Sequence, residues 1–218
     1  MRIFNIDSGF NRALGKIADM VILSICWLVC CLPVVTVGAA TSALYYASMK
    51  NHLGEGTIIR NFFRAFVRDF KQSLLLELIV VAVAGVLIVD LYVLPQMDIP
   101  LGGLVQVVLT VVAVLGIAML SYLFPLVARY ENTMVQRFQN AVFMSLMNFH
   151  YTLLIVAINC APLLLLVLMT DLFLSIIPLL VLIWPGMCAL INAKLFLKIF
   201  KQYENQPEEE LQEQVTEE

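Results

Sequence analysis

Four basic residues recur at helical spacing in the most distinctive polar segment of the sequence. Arg60, Arg64 and Arg68 lie four residues apart, and Lys71 follows three residues later. On an α-helix these side chains fall within an arc of about 80° and form one row, which we call the basic stripe. Such a row binds anionic headgroups at a membrane surface, or carboxylates on a partner protein, which guanidinium groups bind in a bidentate manner. Both interpretations remain open.

Polar residues are rare within the apolar segments, so each of them is a candidate for function. Glu77 lies about one and a half turns beyond Lys71. Asn159 and Asn192 lie deeper in their own segments. Ionisable and amide groups inside a membrane mark ion or substrate pathways, or form hydrogen bonds between helices. We therefore treat Glu77, Asn159 and Asn192 as possible intramembrane polar sites.

The sequence has no signature of catalysis or of metal binding. It contains no GxxxxGK[ST] phosphate loop, no HExxH helix and no GxSxG nucleophile turn. The five cysteines lie in apolar segments without zinc-site spacing, and the two histidines, His52 and His150, are far apart. We predict that the protein is not an enzyme, that it has no catalytic, metal or cofactor site, and that it does not bind nucleic acid.

Long apolar segments must position these polar residues. Hydrophobic residues make up 61% of the chain and charged residues only 13%, which excludes a water-soluble globular protein. A helix needs roughly 20 apolar residues to cross a bilayer, and segments of about this length or longer are 72–94, 103–128, 151–170 and 172–197. The sequence predicts an all-α, polytopic transmembrane bundle formed by one domain, residues 1–203. We expect five to six membrane-embedded helices and a basic amphipathic helix at the cytoplasmic surface.

The charges of the loops predict the orientation of the bundle. Basic residues collect in 50–71, in 129–150 and at the end of the last apolar segment, whereas 95–102 and the region of Asp171 contain none. The positive-inside rule places the first three regions in the cytoplasm and the last two outside. The sequence therefore predicts a multi-pass protein with both termini in the cytoplasm.

The two ends of the chain differ from the bundle. Residues 1–16 mix apolar and basic side chains without the apolar core of a signal peptide, which predicts a short helix lying in the membrane interface. Residues 204–218 contain seven Glu and no Lys or Arg. This composition predicts a disordered acidic tail in the cytoplasm.

The first apolar segment, residues 17–49, is too long for one straight crossing and has basic residues at both ends. Pro33 lies near its middle, so we predict a helix over 17–32, a turn at 33–38 and a second helix from residue 39. A single tilted crossing and a re-entrant element remain open. Small side chains let helices approach closely in lipid, which predicts a packing role for Gly38, Ala39, Ala40 and Ser42.

The second half of the chain repeats part of the first half weakly. Allowing a three-residue insertion, Thr133, Phe138, Ala141, Asn148 and Thr152 align with Thr57, Phe62, Ala65, Asp69 and Ser73. Repeated halves are common in transporters. Whether these two halves are a true duplication remains open.

Three blocks of sequence resemble the YesL-like family of bacterial integral membrane proteins, a domain of unknown function. They are WLVCCLPVVTVGAATSALYY at 27–46, FFRAF with DFKQ within 62–72, and FPL with RYENT within 124–133. The first block is the most specific, and the similarity covers about residues 1–200. The resemblance supplies no catalytic residues.

The resemblance implies a protein of the plasma membrane of a Gram-positive bacterium, encoded near carbohydrate ABC importers and sensor kinases. We therefore expect an accessory or partner protein of a bacterial carbohydrate uptake system of the ABC type. It would act by helix packing and by cytoplasmic docking, and its partners would be the lipid bilayer and importer subunits or a sensor kinase. The alternative is a small stand-alone membrane transporter.

Overall fold

The computed structural model describes residues 9–96, 102–130, 133–168 and 170–217. These residues confirm the all-α class, since they form seven α-helices and two short 3-10 helices and no strand. The α-helices are α1 (Gly9–Cys30), α2 (Val37–His52), α3 (Ile58–Val93), α4 (Gly102–Arg129), α5 (Met134–Met147), α6 (Phe149–Leu168) and α7 (Thr170–Glu217).

Three helices of the described chain are long and apolar enough to cross a membrane. They are α3, α4 and the Leu180–Tyr203 part of α7. A fourth candidate is the pair Met134–Met147 and Phe149–Pro162, if these helices, bent by 101°, form one broken span. The sequence predicted five to six embedded helices because it counted both limbs of the first apolar segment, whereas α2 has only 16 residues. Apolar side chains cover the outer surfaces of α3 and α4, as expected for helices that face lipid.

The described residues near the two ends of the chain belong to α1 and α7. Residues 9–16, predicted as part of an interfacial helix, form the first turns of α1, and residues 1–8 lie outside the described residues. At the other end, α7 is helical through Glu217, where the sequence predicted disorder. Glu, Gln and Leu are good helix formers, and extending an existing helix needs no new nucleus.

The first apolar segment is divided as the sequence predicted. α1 ends at Cys30, a 3-10 turn spans Val34–Thr36, and α2 begins at Val37. At 1.5 Å per residue α2 is about 24 Å long, shorter than a hydrocarbon core of about 30 Å.

Two side-chain contacts show that α1 and α2 are antiparallel. Near the turn, Trp27 Nε1 donates to Thr41 Oγ1 at 3.2 Å. At the opposite end, Asn51 Nδ2 donates to Asp19 Oδ2 at 3.0 Å. Both ends of the segment therefore lie at the same end of the bundle, so the structure has a hairpin here instead of a single tilted crossing.

α3 joins the basic stripe to the following apolar segment in one helix of 36 residues. It begins after Gly54 and Gly56, whose φ values of 72° and 70° suit glycine, and Thr57 occupies the N-cap position. A helix of this length spans about 54 Å, more than a hydrocarbon core. It is thus longer than one crossing needs, and the basic stripe lies in its first four turns.

The core is formed where α2, α4 and α7 meet around one aromatic ring. Phe196 contacts Tyr45 of α2 edge to face, with ring centroids 5.7 Å apart. The same ring contacts Tyr122 of α4 at 5.2 Å, also edge to face. Phe196 and Tyr122 are fully buried. Since such pairs stabilise beyond the area that they bury, this cluster fixes the three helices relative to one another.

Three of the aligned pairs in the weak repeat are buried in both halves of the chain. Ala65, Asp69 and Ser73 of α3 are buried, and so are the aligned Ala141, Asn148 and Thr152. The extra residues fall at the junction of α5 and α6, where the chain bends by 101° while α3 continues unbroken. The insertion thus coincides with the main difference between the two regions.

α1 and α7 approach each other closely at Gly186. Its N–H donates to Ser24 Oγ at 2.8 Å, and this hydroxyl donates to the carbonyl of Met20 at 2.9 Å. A Cβ atom on Gly186 would lie 2.1 Å from the Met20 carbonyl oxygen, which is backbone and cannot rotate away. Only glycine therefore fits at this crossing.

We expect Gly186→Ala to destabilise the protein by about 1–3 kcal/mol, because the added methyl group overpacks the crossing. Thermal unfolding in mild detergent would show this as a lower melting temperature. Gly116→Ala in α4 is the matched control, since a Cβ there meets nothing within 4 Å. Alanine favours helix over glycine by about 1 kcal/mol, so the control should be neutral or stabilising. Equal melting temperatures for both variants would contradict this account.

Candidate functional site

The basic stripe lies on the first turns of α3, but its four members have different surroundings. Arg60, Arg64 and Lys71 are exposed on the helix surface. Arg68 instead directs its guanidinium group toward the neighbouring helices. Arg68 is also exposed, over 40% of its side chain, but it contacts two neighbouring helices. We call the other three residues the exposed basic surface (Arg60, Arg64 and Lys71).

Arg68 connects α3 to α2 and α4. Its Nε and Nη2 atoms donate to the two carboxylate oxygens of Asp69, each at 2.8 Å. Nη2 also donates to the carbonyl of Ala128, near the end of α4, at 3.2 Å. The guanidinium carbon lies 4.7 Å from the centroid of the Tyr46 ring of α2. This residue therefore has a structural role that its spacing in the sequence does not reveal.

Asp69 is the partner of Arg68 that the spacing argument missed. It is buried, with 6% of its surface exposed, and its carboxylate needs a cation because burying an unpaired charge is costly. The available signal was an acidic residue directly after Arg68, in a segment that otherwise contains only basic charges. Removing Arg68 would leave this carboxylate without its bidentate cationic partner.

Glu77 caps the first turn of α2. Its Oε2 atom accepts a hydrogen bond from the N–H of Gly38 at 2.9 Å. The N-terminus of a helix carries unpaired N–H groups and a partial positive charge, which a carboxylate stabilises. Gly38 allows the close approach, since a Cβ there would lie 3.1 Å from Glu77 Cβ and 2.8 Å from Phe124 Cε1. The predicted polar site Glu77 and the predicted packing residue Gly38 are therefore in contact.

The turn before α2 is apolar on the outside and hydrogen-bonded on the inside. Leu32 and Val34 are 80% and 78% exposed, as expected for side chains that meet lipid. Thr36 Oγ1 donates toward the carbonyl of Cys30, the last residue of α1, and toward that of Pro33, which also accepts from the Thr36 N–H. Thr36 and Glu77 thus provide bonds for backbone groups at the turn between α1 and α2.

The structure buries all four residues predicted for helix packing. Gly38, Ala39, Ala40 and Ser42 lie on α2, and Ala39, Ala40 and Ser42 have no exposed surface. α2 packs chiefly against α3, with further contacts to α7 and α4. Small side chains on this helix thus lie where several helices come together.

Asn159 and Asn192 form an amide pair between α6 and α7. Asn192 Nδ2 donates to Asn159 Oδ1 at 3.0 Å and approaches the hydroxyl of Tyr45 on α2 at 3.5 Å. Asn192 is fully buried, whereas Asn159 is exposed on one side. The pair stabilises contacts between helices. Among the described residues, this amide pair forms no hydrogen bond with Glu77, which bonds to Gly38 instead.

A cavity of about 390 Å³ lies beside this amide pair. Aromatic rings form much of its wall, and a few polar groups, among them Asn159, Thr41 and Ser121, also line it. Over the described residues, no group of three or more His, Cys, Asp or Glu side chains is placed to hold a metal ion.

The fold and these contacts are those of an all-helical membrane protein whose internal polar groups hold helices together. Residues 20–91 match the family described as protein of unknown function, DUF624. The match confirms the resemblance to the YesL-like domain over these residues, which include the second half of α1, all of α2, the basic stripe and Glu77. No curated protein and no solved structure matches the chain.

We expect Glu77→Ala to destabilise the α1–α2 hairpin by about 1–2 kcal/mol, the usual cost of losing an N-cap. Hydrogen exchange at the Gly38 amide should become faster, and the melting temperature in detergent should fall. Glu77→Gln keeps an acceptor oxygen but loses the charge, so its effect should be smaller. Asp90→Ala is the control, because Asp90 is an exposed carboxylate on the same helix. Unchanged exchange at Gly38 in Glu77→Ala would refute the capping role.

Proposed function

We propose that this protein is a membrane-embedded accessory protein that docks with a partner through the exposed basic surface of α3. The proposal rests on a difference between the polar groups of the apolar region and those on the first turns of α3. Inside the apolar region, Glu77, Asn159 and Asn192 bond to other helices of the same chain. On the first turns of α3, the cationic groups of the exposed basic surface point outward. A protein that works through a surface needs this second feature and does not need a polar pathway.

The partner that the family resemblance favours is a carbohydrate uptake system of the ABC type in the plasma membrane of a Gram-positive bacterium. Importer subunits and a sensor kinase are the two candidates. Guanidinium groups pair with carboxylates in a planar, bidentate manner, so the contacting surface on the partner should be acidic. The lipid bilayer is the second partner, since the same basic groups also attract anionic headgroups.

The proposed arrangement has both termini and the basic end of the bundle in the cytoplasm. By the basic end we mean the end that carries Lys50, Arg129 and Lys201; Arg129 lies over the ring of Phe200, next to Lys201. The α1–α2 hairpin would enter the membrane from this end and return to it. Counting its two limbs with α3, α4, α6 and α7 gives six embedded helices, and the apolar residues at its turn support this count.

A stand-alone transporter is the second candidate, and the 390 Å³ cavity is the observation that favours it. Asn159 and Thr41 could bond to a neutral polar solute there, while aromatic rings contact its apolar faces. Uptake by proteoliposomes that contain only this protein separates the candidates. Solute accumulation would support the transporter, and its absence together with a co-purifying importer would support the accessory protein.

We expect the double variant Arg60→Glu/Arg64→Glu to insert normally but to lose co-purification with the partner from native membranes. Arg68 is left unchanged, because its loss would uncover the Asp69 carboxylate and disturb the fold. Lys201→Glu is the control, since it reverses an exposed charge at the same end of the bundle on another helix. Lysine at positions 60 and 64 should restore binding only partly. Normal co-purification by the double variant would overturn the docking proposal.

We expect a membrane-impermeant thiol reagent added outside the cell to label single cysteines introduced at Gln96 and Asp171. The same reagent should not label cysteines at Gly54 or Gln136, because the charge bias places these loops in the cytoplasm. The experiment uses a background in which the five native cysteines are replaced. Labelling of a cysteine at Asn5 from outside would contradict the proposed orientation of the hairpin.

A further inference from the structure

α5 exposes apolar side chains at the same end of the bundle as the basic residues. Its second half and the first residue of α6 carry five of them, each with between 43% and 65% of its surface exposed: Val142, Phe143, Leu146, Met147 and Phe149. We call these five residues the elbow surface, because they lie where α5 bends into α6. The elbow surface and the exposed basic surface are thus on different helices.

The only charge of α5 is buried. Arg137 is the one ionisable residue of this helix, it is 3% exposed, and its Nη2 donates to the carbonyl of Tyr130 at 3.4 Å. Ser145 and the C-cap residue Asn148 are buried as well. A helix on a water-facing surface normally has its charged side chains outside. α5 buries its charge and exposes apolar groups, so its outer face suits an apolar medium.

Hydrogen bonds hold α5 at a steep angle to α6. The two helices are bent by 101° at their junction. Thr152 Oγ1 lies 2.8 Å from the carbonyl oxygen of Ser145 and 2.9 Å from Tyr122 Oη on α4. Asn148 Nδ2 donates to Tyr203 Oη on α7 at 2.9 Å. Where α6 crosses the bilayer, α5 therefore lies along the bilayer surface.

The neighbours of the elbow surface place it at the edge of the apolar layer. Phe143 contacts Tyr203 edge to face, with ring centroids 6.3 Å apart, and Tyr203 is the last residue of the apolar span in α7. Lys201, two residues earlier, is exposed, as is typical of basic side chains that flank a span at headgroup level. In the other direction Leu153, one turn beyond Phe149 in α6, is 61% exposed. The elbow surface is therefore continuous with the outward face of α6.

From these observations we propose that the elbow surface binds the lipid bilayer itself. α5 lies in the headgroup layer at the basic end of the bundle, with its outer side chains about 5–10 Å deep at the boundary with the acyl chains. Lipid is the occupant because the same apolar face continues along α6, which the proposed arrangement embeds in the membrane. α5 thereby fixes the depth at which α4 ends and α6 begins. The inference does not depend on the docking partner, since it uses none of the residues of the exposed basic surface.

Fluorescence of single-tryptophan variants in lipid vesicles tests the depth of the elbow surface. The variants of the purified, full-length protein are Leu146→Trp and the control Leu53→Trp, each with Trp27→Phe and Trp184→Phe. Leu53 and Leu146 are both 53% exposed, but Leu53 lies in the polar turn after α2, next to the exposed Glu55. Phosphatidylcholine brominated in its upper acyl chain should quench Leu146→Trp, whereas acrylamide in the water should quench Leu53→Trp. The same quenching pattern in both variants would overturn the proposal.

Thiol labelling keeps both tryptophans and separates lipid from a covering protein. Leu146→Cys and Leu53→Cys are made without the five native cysteines, and a membrane-impermeant maleimide is supplied on both sides of the membrane. Because the reactive thiolate forms in water, Leu146→Cys should react at least about tenfold more slowly than Leu53→Cys, both in native membranes and in vesicles of purified protein and phosphatidylcholine. Equal rates in the pure vesicles would refute lipid binding. Slow reaction of Leu146→Cys confined to native membranes would assign the elbow surface to another protein instead.

Discussion

The hydrogen bond between Glu77 and Gly38 is the interaction on which the N-terminal half of the structure depends. α2 begins in apolar surroundings, where water cannot complete the bonding of its first N–H groups. Glu77, from the neighbouring helix, provides an acceptor and a negative charge at this point. Because Gly38 has no side chain, α2 and α3 come close enough for the bond to form. The bond therefore ties the start of α2 in the hairpin to α3.

Other polar groups in the apolar part of the described chain also form hydrogen bonds between helices. The Asn159–Asn192 pair connects α6 to α7, and Ser24 connects α1 to α7 at Gly186. Each of these groups forms a bond between helices in a medium that offers few alternatives. Groups committed in this way are poor candidates for conducting ions. This is the physical reason to look for function at the basic end of the bundle instead.

At the basic end, one row of similar residues divides into two roles. Arg68 pairs with Asp69, reaches the end of α4 and packs on Tyr46, so it helps to set the positions of three helices. Arg60 and Arg64 lie on the same helix and remain on its surface. The difference arises from what lies beside α3 at each turn. A charge reversal that treated all three arginines alike would therefore mix a folding defect with a binding defect.

The sequence by itself determined the all-α class, the apolar segments and the break near Pro33, because length, periodicity and helix-breaking residues are local properties. Only the tertiary structure decided that Glu77 caps α2, that Arg68 bonds to Ala128, and that the chain bends by 101° between α5 and α6. These outcomes join residues far apart in the chain or depend on neighbouring helices. A polar residue in an apolar segment must find a partner, but its identity depends on how the helices pack.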